Sequence, residues 1–252
     1  MVYTTVAWYE AAAKTLEAID AVPDEHVTGT GDDITIPIDL DQVVGIQLTG
    51  TTLARARLSS PSLRRIWLEE LNPFASIAGM PPGGDSIGLI DRKADPIPLT
   101  ASEKLNIIVT CAAAGACAVL FLADGAIEPA HGDIRTIRAT AAIADAAGEW
   151  VSGPLTFSQT LPAGRYQVVG MKVIDAHGIA ARLLFVGQWP RPGCVCAPAL
   201  GSINDDPFRL GKPGVLGEFE FDQPPQMEVL SDGTGTSQEV YLDLIQVRAG
   251  RS

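Results

Sequence analysis

The chain has 252 residues, 46% hydrophobic and only 19% charged, a balance that excludes a disordered tail and supplies a sizeable core. Its formal net charge is −12, from 18 basic and 30 acidic residues, which excludes counterion-releasing contact with nucleic acid as a default role and disfavours an anionic lipid surface. With 25 glycines and 18 prolines against 4 Trp, 4 Tyr and 7 Phe, the profile is turn-rich and closer to all-β chains than to helical bundles.

Met1 to Val22 carries Glu10, Lys14, Glu17 and Asp20 inside its apolar stretch, so neither a signal-type run nor a membrane span is expected. Trp8, Ala12, Leu16 and Ile19 recur at helical spacing, while Glu10, Lys14 and Glu17 fall on another face. The spacing predicts an N-terminal helix ended by Pro23, which either docks on its own domain or reaches a neighbour. After Gly29-Thr30-Gly31 the period changes. Ile34, Ile36, Ile38 and Leu40 alternate with Thr35, Pro37, Asp39 and Asp41, as in a half-buried strand with an edge-tolerant proline. Val43 to Leu48 reads as a second strand, and Ala54, Ala56 and Leu58 against Arg55 and Arg57 as a third. Arg64 to Leu71 fits either a strand or a short helix. Residues 72–98 form a long Pro/Gly-rich excursion around Met80-Pro81-Pro82-Gly83-Gly84. Leu105 to Thr110 and Ala118 to Leu122 are two apolar strands around an Ala/Gly turn, closing at Asp124-Gly125.

The second half repeats this plan. Val43-Val44-Gly45-Ile46-x-Leu48 matches Val168-Val169-Gly170-Met171-x-Val173 at an offset of 125 residues. The same offset places Ala56-Arg57-Leu58 on Ala181-Arg182-Leu183 without a gap. A second irregular segment runs from Trp189 to Gly217. Met227 to Leu230, a Gly/Thr/Ser turn and Glu239 to Val247 then mirror Leu105 to Leu122. A repeat of half the chain length indicates duplicated domains rather than a solenoid. The fold class expected is all-β, two tandem jelly-roll β-sandwiches with an N-terminal helix. The divisions are residues 1–28 as helix or arm, 29–127 as the first sandwich and 128–252 as the second.

The chemistry-bearing patterns are thin. Gly84-Asp85-Ser86-Ile87-Gly88 fits the G-x-S-x-G form, but a nucleophile elbow needs a strand before it and a helix after it within an α/β sheet. His26, His131 and His177 all sit in turn-like sequence. His131 with Asp133 and His177 with Asp175 are close pairs without the spacing of a zinc site or facial triad. Asp232-Gly233-Thr234-Gly235-Thr236 lacks the terminal ligand of a calcium loop and reads as a hairpin turn. Neither G-x-G-x-x-G nor a P-loop occurs in the sequence, and no basic cluster interleaves with aromatics. Cys111, Cys117, Cys194 and Cys196 read as small buried or reduced thiols, with a single disulfide or a metal as the alternative. Hence no catalytic residue, no metal ligand and no cofactor are assigned, and the chain is expected not to be an enzyme.

Two tandem sandwiches of about 125 residues, a leading helix, long Gly/Pro-rich excursions and the duplicated Val-Val-Gly strand together resemble the double jelly-roll major capsid proteins of tailless, membrane-containing bacterial viruses. Corticoviruses and tectiviruses are the examples. The resemblance spans Ile34 to Val247 plus the helix and includes Leu161-Pro162-Ala163-Gly164-Arg165-Tyr166 through Met171. It implies a structural subunit that pairs with itself as a homotrimer and then with lattice neighbours, forming pseudo-hexagonal blocks that tile an icosahedral shell. It further implies penton or minor capsid proteins as partners, an internal membrane met by the N-terminal helix, no direct nucleic-acid binding, and a place in the virion after assembly in the host cytoplasm. Phe74, Ile77 and Met80, and Trp189, Val195, Leu200 and Phe208, are the apolar residues that the two excursions offer to neighbours.

Two other classes compete. One is a carbohydrate- or receptor-binding β-sandwich of spike or lectin type, which needs exposed aromatic platforms from Trp8, Trp67, Trp150 or Trp189. The other is a hydrolase using Ser86.

Overall fold

The computed structural model describes residues 3–24, 29–37, 39–50, 53–61, 89–112, 116–144, 146–198, 207–233 and 235–249. Among the described residues every regular element is a strand, apart from a short helical turn at Pro207-Phe208, and there is no α-helix. In chain order the first half holds β1 (Tyr3–Glu10), β2 (Lys14–Ala18), β3 (Gly29–Thr30), β4 (Asp33–Thr35), β5 (Gln42–Thr49), β6 (Leu53–Ser59), β7 (Ile90–Asp91), β8 (Ile97–Pro98), β9 (Lys104–Cys111) and β10 (Ala116–Ala123). The second half holds β11 (Arg135–Ala141), β12 (Trp150–Pro154), β13 (Thr156–Phe157), β14 (Gly164–Ile174), β15 (Gly178–Leu184), β16 (Gly193–Ala197), β17 (Gly217–Glu220), β18 (Gln226–Ser231) and β19 (Gln238–Ala249).

The main strands of the two halves are wired alike. In the first, β1-β10-β5-β7 form one sheet, with β8 also on β5, and β9 faces it flanked by β2, β4 and β6. In the second, β11-β19-β14-β17 form one sheet and β12-β18-β15-β16 the other. In both the chain passes from one sheet to the other at matching places, between β1 and β2, β5 and β6, and β9 and β10 in the first half and between β11 and β12, β14 and β15, and β18 and β19 in the second, the path of a jelly roll. A two-residue parallel contact, Val173 opposite Cys196 and Ile174 opposite Ala197, joins the sheets of the second half at one margin.

The duplication extends to an irregularity. In β5 the ladder to β10 jumps from Gly45 to Val43, leaving Val44 bulged; in β14 the ladder to β19 jumps from Gly170 to Val168, leaving Val169 bulged. Bulges of this kind re-aim a strand and are built features. The glycine after each bulge has a local reason. A Cβ on Gly45 would come within 3.0 Å of the Phe121 ring, and one on Gly170 within 2.4 Å of Asp243 Oδ2. Each glycine lets the side chain opposite it lie across the strand.

The expected N-terminal helix is not there; β1 and β2 occupy it. β1 has both faces covered, with Val6 and Trp8 in the core of the first sandwich and Tyr3 and Ala7 in a cluster shared with the second half. Such a strand shows no polar alternation. The helical spacing of Trp8, Ala12, Leu16 and Ile19 spans two strands, the link between them and a bulge between Thr15 and Glu17. At that bulge Leu16 is exposed with φ +56°. Past Glu17 the chain turns back so that Tyr9 N donates to Asp20 O and Val22 N to Ala7 O, both 2.9 Å. A lipid contact through a leading helix therefore has no helix to carry it. The long strand expected from Ile34 to Leu40 shrinks to β4, while Ile36 and Leu40 stay buried beside a turn that Leu40 N closes on Pro37 O. Arg64 to Leu71 and most of residues 72–98 lie outside the described residues.

β9 alternates, with Leu105, Ile107, Val109 and Cys111 turned inward, the period-2 pattern of a half-buried strand. β10 is buried on both faces along its length. Leu120 and Leu122 join the first core, and Val119 and Phe121 the shared cluster. The first half's β1-β10-β5 sheet thus sits between its own sandwich core and the second half.

Candidate functional site

Arg182 stands in the middle of an apolar strand and is fully buried. Its neighbours Ala181 and Leu183 are buried too. Its guanidinium is directed to the first half: Nη1 donates to the Thr5 carbonyl at 3.0 Å and to the Asp24 carboxylate, and Nε donates to Glu228 directly opposite on β18. Arg191 completes the set, donating through Nη1 to both Glu228 oxygens at 2.9 and 3.0 Å and lying 3.6 Å from Asp24 Oδ1. The Trp150 ring lies under the Arg182 guanidinium, 4.0 Å from its central carbon, a cation–π contact. Burial pushes Arg182 below its usual value, and Asp24 and Glu228 oppose that shift.

Two guanidinium groups and two carboxylates neutralise one another in a seam closed to solvent. Such a cluster adds little net stability, because desolvation offsets the attraction, yet it penalises any arrangement that separates its members. The backbone reinforces it. Thr5 N donates to Arg191 O at 2.9 Å and Arg191 N to Thr4 Oγ1 at 3.1 Å, so the second half closes the outer edge of β1 at Thr5, while Asp20 and Val22 close it at Tyr9 and Ala7. Apolar contact follows beside it: Phe121 lies 6.3 Å from the Tyr3 ring and 5.0 Å from that of Phe208. Lys93 sits over Phe208 and donates to Pro207 O at 3.2 Å.

A second buried ion fixes the loop that carries Phe208. Asp243 on β19 accepts hydrogen bonds from Arg209 Nε at 2.8 Å, Leu210 N at 2.7 Å and Thr136 Oγ1 at 2.6 Å. Burial alone would push this carboxyl up, but those hydrogen bonds outweigh it and hold it below the ordinary carboxylate range. A depressed folded-state value gives stability that is present above the unfolded value and lost as pH falls through the folded one. The thermal midpoint of Asp243→Asn is therefore expected to lie below that of the parent chain at neutral pH. The gap should narrow as pH drops below about 4; a gap independent of pH would contradict this role.

The residues singled out in the sequence do not converge. Ser86 and His26 lie outside the described residues. His131 is exposed, and Asp133 pairs with Arg135 at 2.8 Å. His177 lies on an exposed turn, its backbone N–H and that of Gly178 bound to Asp175 Oδ1, and its Nδ1 3.3 Å from Asp232. The segment around Gly233 connects strands of opposite sheets and is not a hairpin turn. All four cysteines are buried thiols, and burial pushes Cys117 up. Among the described residues no three His, Cys, Asp or Glu side chains converge as a metal site requires, and no helix is long and apolar enough to cross a membrane. Trp8 is buried, and Trp150 and Trp189 are half-buried, Trp150 with the Arg182 guanidinium over its ring; Trp67 lies outside the described residues. Val195 and Phe208, expected to face neighbours, are used inside the chain, and Leu200 lies outside the described residues.

The seam was missed in the sequence reading, although a signal was present: an arginine flanked by Ala181 and Leu183 within an apolar run.

Among solved structures the chain is similar to the major capsid protein P2 from bacteriophage PM2, with 12% identity, 99% of each chain covered and a TM-score of 0.26. It is also similar to the STIV major capsid protein, with 11% identity, 97% of each chain covered and a TM-score of 0.23. No protein-family model and no curated protein matches the chain. The double sandwich stands on the chain's own strand order.

Proposed function

We propose that the chain is a structural capsid subunit, non-enzymatic, in which β1 to β10 and β11 to β19 form two units of one block. Three copies close around a threefold axis to give six sandwiches in a pseudo-hexagonal trimer, and the trimers tile an icosahedral virus shell. Its main partner is itself. Penton or minor capsid proteins meet it where the lattice changes curvature, and an internal membrane lies beneath the shell. The assembled protein belongs to the virion, built in the host cytoplasm.

One observation carries the reading: two sandwiches wired alike, down to the same bulge, are fused by a neutralised, solvent-free seam. A tiling block needs the fixed angle between lobes that this seam enforces, since closed symmetry tolerates little variation between subunits. Six near-equivalent lobes per trimer then pack as a hexagon, whereas three bare lobes would not.

Multi-angle light scattering on the purified full chain tests the stoichiometry. The expected mass is three times that of one chain, stable on dilution, as large obligate interfaces dictate. A single-chain mass at high concentration would contradict the proposal.

A further inference from the structure

Two leucines stand where the single chain gains nothing from them. Among the described residues three that are not glycine have a left-handed backbone: Leu16 (φ +56°), Ser102 (φ +61°) and Leu210 (φ +53°). Glycine, asparagine and aspartate adopt that conformation with little strain, and leucine does not. Ser102 lies in a turn. Leu16 and Leu210 are also 56% and 58% exposed, so each combines a strained backbone with an apolar side chain held in water.

The strain at Leu210 is fixed from both sides. Leu210 N donates to Asp243 Oδ2 and Gly211 N to Val169 O, both at 2.7 Å, and Ala130 N donates to Gly211 O at 2.9 Å. These bonds lay the segment across Gly170, where a Cβ would come within 2.9 Å of Leu210 N. The wiring itself does not demand the strain. In the first half Arg92 N donates to Val44 O as Gly211 N does to Val169 O. That puts Asp91 in the place of Leu210, and Asp91 has no left-handed backbone. Leu16 is fixed by the bulge between Thr15 and Glu17, its N donating to Thr110 Oγ1 at 3.2 Å. Strain kept at an exposed apolar side chain points to a contact made outside the single chain.

The positions of the two leucines indicate the occupant. The β1-β10-β5 sheet of the first half and the β15-bearing sheet of the second meet at the seam. The β2-β9-β6 sheet and the β11-β19-β14 sheet are therefore the two outer flanks of the block. Leu16 lies on β2 in the one, and Leu210 lies over the other. The segment carrying Leu210 has its counterpart, Leu89 to Lys93, at the junction inside the chain, where Leu89 packs on the shared cluster and Lys93 sits over Phe208 of the second half. What meets that segment in the first half is a sandwich of this chain, and the body that fits the counterpart is a sandwich of another copy.

We infer that Leu210 of one copy and Leu16 of the next anchor a head-to-tail contact, the β11-β19-β14 flank of each copy meeting the β2-bearing flank of its neighbour. The inference rests on the self-assembly reading above and names its surfaces. Because unlike surfaces meet, the contact closes into a ring where the rotation between copies permits.

Variants of the full chain test it. Leu16→Asn and Leu210→Asn each relieve the backbone and remove one anchor. Each is expected to keep the circular dichroism spectrum of the parent while weakening self-association at least tenfold, the size of one leucine's burial. Mixing them identifies the contact. A Leu16→Asn chain keeps its Leu210 flank and a Leu210→Asn chain keeps its Leu16 flank, so an equimolar mixture retains one intact contact per pair and cannot extend it. In sedimentation over a concentration series, each variant alone is expected at the mass of one copy where the parent is assembled, and the mixture at the mass of two. Should Asn disturb the fold at either position, Gly takes its place. If the parent assembles and either variant assembles as well as the parent, or the mixture stays at one copy, the anchors are overturned and the assembly reading stands. Parent chain that sediments as one copy at every concentration defeats both.

Discussion

Arg182→Met is expected to destabilise the folded chain by about 3–5 kcal/mol, the range for breaking a buried ion cluster by removing one member. The loss arises less from the missing attraction than from what remains. Glu228 and Asp24 keep their place in the seam with Arg191 as the remaining guanidinium of the cluster, and the Thr5 carbonyl loses its donor. The Trp150 ring loses the cation stacked on it. Equilibrium denaturation in urea, followed by tryptophan fluorescence, measures the effect. Arg182→Met combined with Glu228→Leu should recover part of it, since an apolar replacement of a whole buried pair is often close to neutral. A loss below about 1 kcal/mol, the size of an exposed pair, would show that the cluster is open to water.

Phe121→Ala is expected to cost about 3–5 kcal/mol, as for large aromatic deletions in a close-packed core. Phe121 is buried where the two halves meet, its ring crossing Gly45 and touching Tyr3 and Phe208. The surrounding strands pair through their backbones and cannot collapse into the space left behind. The same variant reports on cooperativity. If the halves unfold as one unit, its urea transition shifts to lower concentration without splitting. Two separated transitions, with only one of them moved, would mean that the halves are independent and the seam does not bind them.

Much of the fold was legible in the sequence, and the reason is the duplication. Val43 to Leu48 and Val168 to Val173 gave matching strands because both carry the same bulge beside a glycine that the facing side chain crosses. Leu105 to Thr110 was readable from its alternation, since one face of β9 is turned outward. The N-terminal segment failed for the opposite reason: β1 is covered on both sides and has no polar period. A bulge at Leu16 then shifted the spacing of the apolar residues toward that of a helix. In the structure β11 and β12 precede the Val168 strand as β1 and β2 precede the Val43 strand, but the matched residues of the repeat begin only at Val43 and Val168, so the repeat carried no reading of the segments before them. The seam was illegible because its charges come from distant places, Asp24, Arg182, Arg191 and Glu228, which only the folded stack of sheets brings within hydrogen-bonding distance. What the sequence did offer was a polar residue out of period in β15, and a buried charge of that kind requires a partner.

Electron microscopy of the native assembled material tests the central claim most directly. Shells of hexagonally packed blocks, each with a six-lobed outline and threefold symmetry, are the expected image. Isolated two-lobed particles at every concentration, with no closed or extended lattice, would contradict it.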